Sequence, residues 1–277
     1  MTLIEQILPG ALGPGLTSAA VFASAALLAR HKGADRLREM GTALAIALGF
    51  AVGFAVVLGW PHLPPAPSDD AWAWVAWFAV GGWLIGLLEL PRWKGGLARV
   101  LRVVGRAATS LGAAWLLVRP MAAFSDGEKL RLVLGGGATI LLLWVVAAHV
   151  ARRSAEPGRV VLPLLVAAGT GAALLAFQAG SLSLGQTLGS LSAALGSAFL
   201  LAVVLRVPGA SPATAPVAAL VLGGLLLGAY ATLNYGDSTH FPLASALLIA
   251  GGAVLGMGLP GLLPERLGRV PRLLLGG

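Results

Sequence analysis

The stretch PVAALVLGGLLLGAYATLN, residues 216–234, runs for nineteen residues without a charged side chain. It is continuously apolar, with none of the every-second-residue alternation of a half-buried strand. As a helix rising 1.5 Å per residue it would span roughly 28 Å, close to the hydrocarbon thickness of a bilayer. Comparable runs recur along the chain between charged or Pro/Gly/Asp-bearing breaks. They give nine candidate spans, near 12–29, 40–60, 71–90, 104–122, 131–151, 160–178, 186–205, 216–234 and 243–260. The fourth is the least regular, because Arg102, Arg106 and Arg119 crowd its ends.

Composition agrees with this reading. Of 277 residues, 57% are hydrophobic and 11% charged, and the mean hydropathy is +0.88. A water-soluble domain carries about a quarter charged residues, so that class is excluded. The expected fold is an all-α polytopic transmembrane bundle forming one integral membrane domain over 1–277. A β-barrel is disfavoured, since its strands alternate over about ten residues. The chain has no Cys, which removes disulfides, thiolate metal sites, iron–sulfur clusters and cysteine nucleophiles.

Cationic residues set orientation, because Lys and Arg concentrate in cytoplasmic loops. With the N-terminus outside and the C-terminus cytoplasmic, 16 of the 19 Lys and Arg fall on the inner side, leaving only Arg119, Lys129 and Arg131 outside. The net charge of +8 is then a topological signature. No nucleic-acid partner is expected, because such short loops offer no binding domain. Residues 1–29 lack the positive n-region of a cleavable signal, so the first span is expected to be retained. Trp60, Trp72 and Trp93 stand at span ends, as interfacial anchors do, and the tail 262–277 reads as a surface segment or a frayed terminus. The expected location is a bacterial-type inner membrane.

Helices in lipid associate through small residues that let backbones approach. Pairs four apart occur at Gly49/Gly53, Gly82/Gly86, Gly185/Gly189, Gly224/Gly228 and Gly252/Gly256. Gly185, Gly189, Ala193 and Ser197 extend the seventh span's pair into a ladder, which predicts an interior helix there. Nine spans also permit a division into 1–125, 126–155 and 156–277, with four-span units of opposite sense on either side of span five. The residues themselves show no internal repeat.

Ionisable groups at membrane depth are nearly missing. Glu89 and His149 share one level, either as a proton-handling pair or as side chains snorkelling to the interface. Uncharged polar groups gather at the opposite end of the last four spans: Gln178, Gln186, Ser190, Tyr230 and Asn234, with Asp237 and His240 in the following loop. These are the candidate substrate- or pore-lining residues; the alternative is that they staple helices together. Asp237 and His240, joined by His62, Asp69, Asp70, Asp126 or Glu128, would suit a metal or an acid/base pair, but nothing fixes the spacing between loops. No Walker A lysine follows Gly135–Gly137, and neither H-E-x-x-H nor G-x-S-x-G occurs, so no catalytic residue, metal or cofactor is assigned. Three functions remain: a transporter or channel for a neutral or lipid-like solute, a non-catalytic subunit or scaffold of a membrane complex or homo-oligomer, and an enzyme of the outer face.

Overall fold

The structure, a computed structural model, describes residues 3–32, 34–60, 73–90, 95–122, 124–154, 157–233 and 242–262. Among these there are nine helices and no strand: α1 (Leu3–Lys32), α2 (Asp35–Leu58), α3 (Ala73–Glu89), α4 (Gly96–Val118), α5 (Asp126–Arg153), α6 (Pro157–Gln178), α7 (Leu182–Leu205), α8 (Thr214–Leu233) and α9 (Leu243–Leu262). Seven of them are long and apolar enough to cross a membrane, while α3 and the stretch Ala244–Gly258 of α9 are shorter apolar helices. Large apolar side chains such as Leu16, Leu97, Val204 and Leu248 face outward on several helices. A surface of that kind suits lipid contact and not water.

Local chemistry sets the helix ends. Ser125 caps α5: its Oγ accepts from the Glu128 backbone N–H at 3.4 Å, and the Glu128 carboxylate accepts from the Ser125 N–H at 2.9 Å. Pro157 opens α6, where a missing N–H costs nothing. Arg206 ends α7 in the left-handed conformation at φ 53°. Helix α4 starts two turns earlier than hydropathy predicts. Arg102 and Arg106 sit inside it because they turn inward onto an ion cluster, while Val100, Leu101, Val103 and Val104 take the outer surface.

The centre of the bundle is α8. Seventeen of its twenty residues are buried, and it touches every other described helix except α1. A helix apolar around its whole circumference can be covered on all sides. The seventh helix, expected at the centre, is instead shared by α1, α2 and α6 on its buried faces, with a smaller approach to α8. On the other side of α8, the Gly82/Gly86 face of α3 meets Val217 and Ala213, so closely that a methyl group at Gly82 would stand 2.9 Å from the Val217 Cα.

Glycine is required most clearly where α1, α2 and α7 interlock. Pro14 has no N–H, so in an α-helix the Gly10 carbonyl four residues earlier loses its partner. The Ser190 hydroxyl of α7 donates to that carbonyl at 2.6 Å. Ser18, one turn beyond Pro14, donates to the Ala194 carbonyl at 2.8 Å. Helix α2 fits under both only because Gly49 and Gly53 have no side chains. A methyl group at Gly53 would lie 2.5 Å from the Pro14 ring and from Ser190 Cβ, and one at Gly49 would lie 2.8 Å from the Pro14 carbonyl oxygen.

The close face of α7 is therefore Gln186, Ser190, Ala194 and Ser197. Gly185 packs on Phe177 of α6, Ala193 and Ser197 border Gly15 of α1, and a methyl group at Gly189 would meet nothing within 4 Å. Gly53→Leu should lower stability in detergent by at least about 1–3 kcal/mol through overpacking. Gly189→Leu should change it by about 0.5 kcal/mol or less. Thermal unfolding of the two purified variants checks the contrast.

Candidate functional site

Of the cavities with polar side chains in their walls, two are otherwise largely apolar. The first lies between α5, α8 and α9. Its volume is about 430 Å³; Leu132, Gly136, Leu226 and Leu227 supply apolar walls, and Arg131, Thr139 and Tyr230 are the polar groups lining it. Thr139 donates to the Gly135 carbonyl at 2.9 Å, which satisfies its hydroxyl within α5. A mostly apolar concavity with a few polar groups is the usual form of a ligand site.

The expected lining residues do not share this cavity. Tyr230 lines it, half-buried. Gln178 is exposed at the end of α6, Gln186 is half-buried with its Cβ beside Gly10, and Ser190 is buried between α1 and α2. Asn234, Asp237 and His240 lie outside the described residues, as do His62, Asp69 and Asp70. Gln186 and Ser190 share a face of α7 that borders Gly10 of α1, whereas Tyr230 lines the cavity from α8. Glu128 is engaged in capping α5. Among the described residues no group of three or more His, Asp or Glu side chains is arranged to hold a metal ion.

The second place was missed by sequence reasoning. At the other end of the bundle the C-terminus of α3, the first half of α4 and the C-terminus of α5 converge on Glu89, whose side chain is 4% exposed. Arg106 donates to both carboxylate oxygens, Nε to Oε1 at 2.7 Å and a terminal nitrogen to Oε2 at 2.8 Å. Arg152 donates to the same Oε2, and Arg102 Nε stands 3.7 Å from it. The Arg106 guanidinium also lies over the Trp144 ring at 5.9 Å.

Glu89 therefore neither snorkels nor pairs with His149, which is exposed on α5. Paired, hydrogen-bonded burial of this kind is how an ionised carboxylate is retained at membrane depth. One signal was present in the sequence: Arg99, Arg102 and Arg106 follow spacings of three and four, which place them along one face of a helix.

Comparison with protein-family models, with curated proteins and with solved structures finds no match. The chemistry of these two places is accordingly read from their geometry alone.

Replacing Glu89 by Gln leaves three guanidinium groups without their carboxylate. The expected loss is about 3–5 kcal/mol, the usual penalty for breaking a buried ion pair from one side. His149→Gln, at an exposed position, should cost about 0.5 kcal/mol or less. Parallel melts of both variants in detergent distinguish the observed cluster from a Glu89–His149 pair.

Proposed function

We propose that this chain is a multi-pass protein of a bacterial-type inner membrane that binds and passes a lipid-like solute by way of the cavity between α5, α8 and α9. Its N-terminus is outside and its C-terminus cytoplasmic. The observation that carries the reading is the cavity itself, about 430 Å³, apolar along its walls and bordered by Arg131 and Tyr230 near the ends of their helices. An amphiphile fits such a space, with its chain along the leucines and its polar part at the mouth. The charge bias puts that mouth on the outer side, since Arg131 is one of three cationic residues there. Asn234, Asp237 and His240 follow Tyr230 in the chain and are proposed as the rim. Gln186 and Ser190 are assigned to packing, because the Ser190 hydroxyl is already used on α1.

In liposomes carrying a fluorescent phospholipid analogue, the reconstituted protein should speed movement of the label between leaflets. Thr139→Trp, which fills the cavity, should slow that movement about tenfold. Rates equal to those of protein-free liposomes, with folded protein present, would remove the transport reading and leave the subunit or scaffold reading.

Accessibility tests orientation separately. Because the chain has no Cys, single cysteines at Thr139 and Tyr230 should react with a membrane-impermeant thiol reagent added outside, while a cysteine at buried Ser190 should not. A reporter inserted in Pro61–Asp70 should read as extracytoplasmic; a cytoplasmic signal there would reverse the topology.

A further inference from the structure

The cluster around Glu89 holds more positive charge than its carboxylate balances. Arginine stays protonated in proteins, so among the described residues Arg102, Arg106 and Arg152 against one carboxylate leave two positive charges in excess. Hydrogen-bonding capacity is unequal in the same sense. Three guanidinium groups carry about fifteen N–H donors, whereas one carboxylate offers about four acceptor positions. Trp144, whose ring lies under Arg106, is covered, so the unused donors open to a ligand are those of the arginines, and an acceptor-rich group is what they lack.

Space for that group is present. A cavity of about 280 Å³ is lined by Glu89, Arg102, Arg106 and Trp144 on its polar side, and Leu88 and Leu101 contribute to its apolar side. Leu88 and Leu101 are 65% and 57% exposed on the outer surface of the bundle, where acyl chains would lie. The site therefore adjoins lipid directly. A ligand that fits must be anionic, rich in acceptor oxygens and compatible with an apolar wall.

We propose that this cavity binds a phosphate oxyanion, held by Arg102 and by the remaining donors of Arg106, with an anionic phospholipid headgroup as its source. Guanidinium forks match phosphate geometry, and basic pockets between membrane helices hold anionic headgroups in this manner. Glu89 is a positioning residue here: it fixes Arg106 and Arg152 and leaves Arg102, its most distant partner, facing the ligand. The inference rests on the cluster alone and not on the α5/α8/α9 cavity.

The test is thermal unfolding of the purified full chain in a neutral detergent, titrated with phosphatidylglycerol, with dioleoylglycerol (the same kind of chains, no phosphate) and with inorganic phosphate. Phosphatidylglycerol should raise the melting temperature saturably and dioleoylglycerol should not. Arg102→Ala should raise the half-saturating concentration about tenfold or more while leaving the lipid-free melt nearly unchanged, because Arg106 and Arg152 still hold Glu89. If Arg102→Ala fails to fold, Arg102→Gln and the effect of added salt on the wild-type titration take its place. A response to phosphatidylglycerol alone supports the site with lipid as the source, and an equal response to inorganic phosphate supports it with the free anion as the source. Stabilisation by dioleoylglycerol equal to that by phosphatidylglycerol, no response to any phosphate, or an undiminished response in Arg102→Ala would overturn it.

Discussion

The carbonyl of Gly10 sets a condition that a large part of this bundle is built to meet. Pro14 removes its helical partner, and a hydrocarbon core has no water to replace it. Ser190 reaches it only because α7 lies almost in contact with α1, and α2 can join them only because Gly49 and Gly53 present bare backbone. Lipid tails compete equally for leucine, so close packing and satisfied backbone, not hydrophobic collapse, hold such helices together. The same device recurs where Gly82 and Gly86 of α3 meet the start of α8, and where Gly223 meets Ile140 of α5. Through these approaches α8 becomes the shared wall of the molecule.

Packing of small residues holds α4 to α5, where Gly137 lies under Leu111, but does not hold it to α3. Helices α3 and α4 approach each other sparsely, and the backbones of α3 and α5 are not neighbours. Long side chains bridge what backbones do not: Arg106 and Arg152 reach Glu89 from two helices and tie three together at one point. A bidentate guanidinium–carboxylate pair fixes orientation as well as distance. In the low dielectric of the bundle, that bond turns Arg106, and with it Arg102, toward Glu89 while Val100, Val103 and Val104 face outward, the reverse of a helix in water.

The helices were legible in the sequence because length and continuous hydrophobicity are local properties, and residues 216–234 alone state the rule. Boundaries were legible wherever charge and apolarity separate cleanly. They failed at α4, since a hydropathy reading places Arg102 and Arg106 at the span's edge and cannot see that Glu89, on another helix, receives them. The face of α7 was half legible. Ala193 and Ser197 of the ladder border α1 and Gly185 packs on α6, but a methyl group at Gly189 would meet nothing, because a spacing of four names a stripe without saying which neighbour covers it. The polar residues near the ends of α6, α7 and α8 gave a level in the membrane and no direction; Tyr230 and Ser190 point to different neighbours for that reason. The Glu89 cluster was invisible as a cluster because its members are separated by up to 63 positions in the chain.

Helix α5 borders both cavities, with Arg131 and Thr139 on one and Trp144 on the other. Between them Ile140 and Leu143 are fully covered, and Ile140 fills the notch that Gly223 leaves in α8. A water-filled path along the inner face of α5 is closed at that level, since removing those side chains from contact would open a void at substantial cost. The outer face at the same level carries exposed Leu142 and Val145 instead. The lipid-facing side of α5 at that level is therefore apolar, and the proposed passage of a lipid-like solute, as opposed to an aqueous one, rests on that side and on the cavity beside Arg131 and Tyr230.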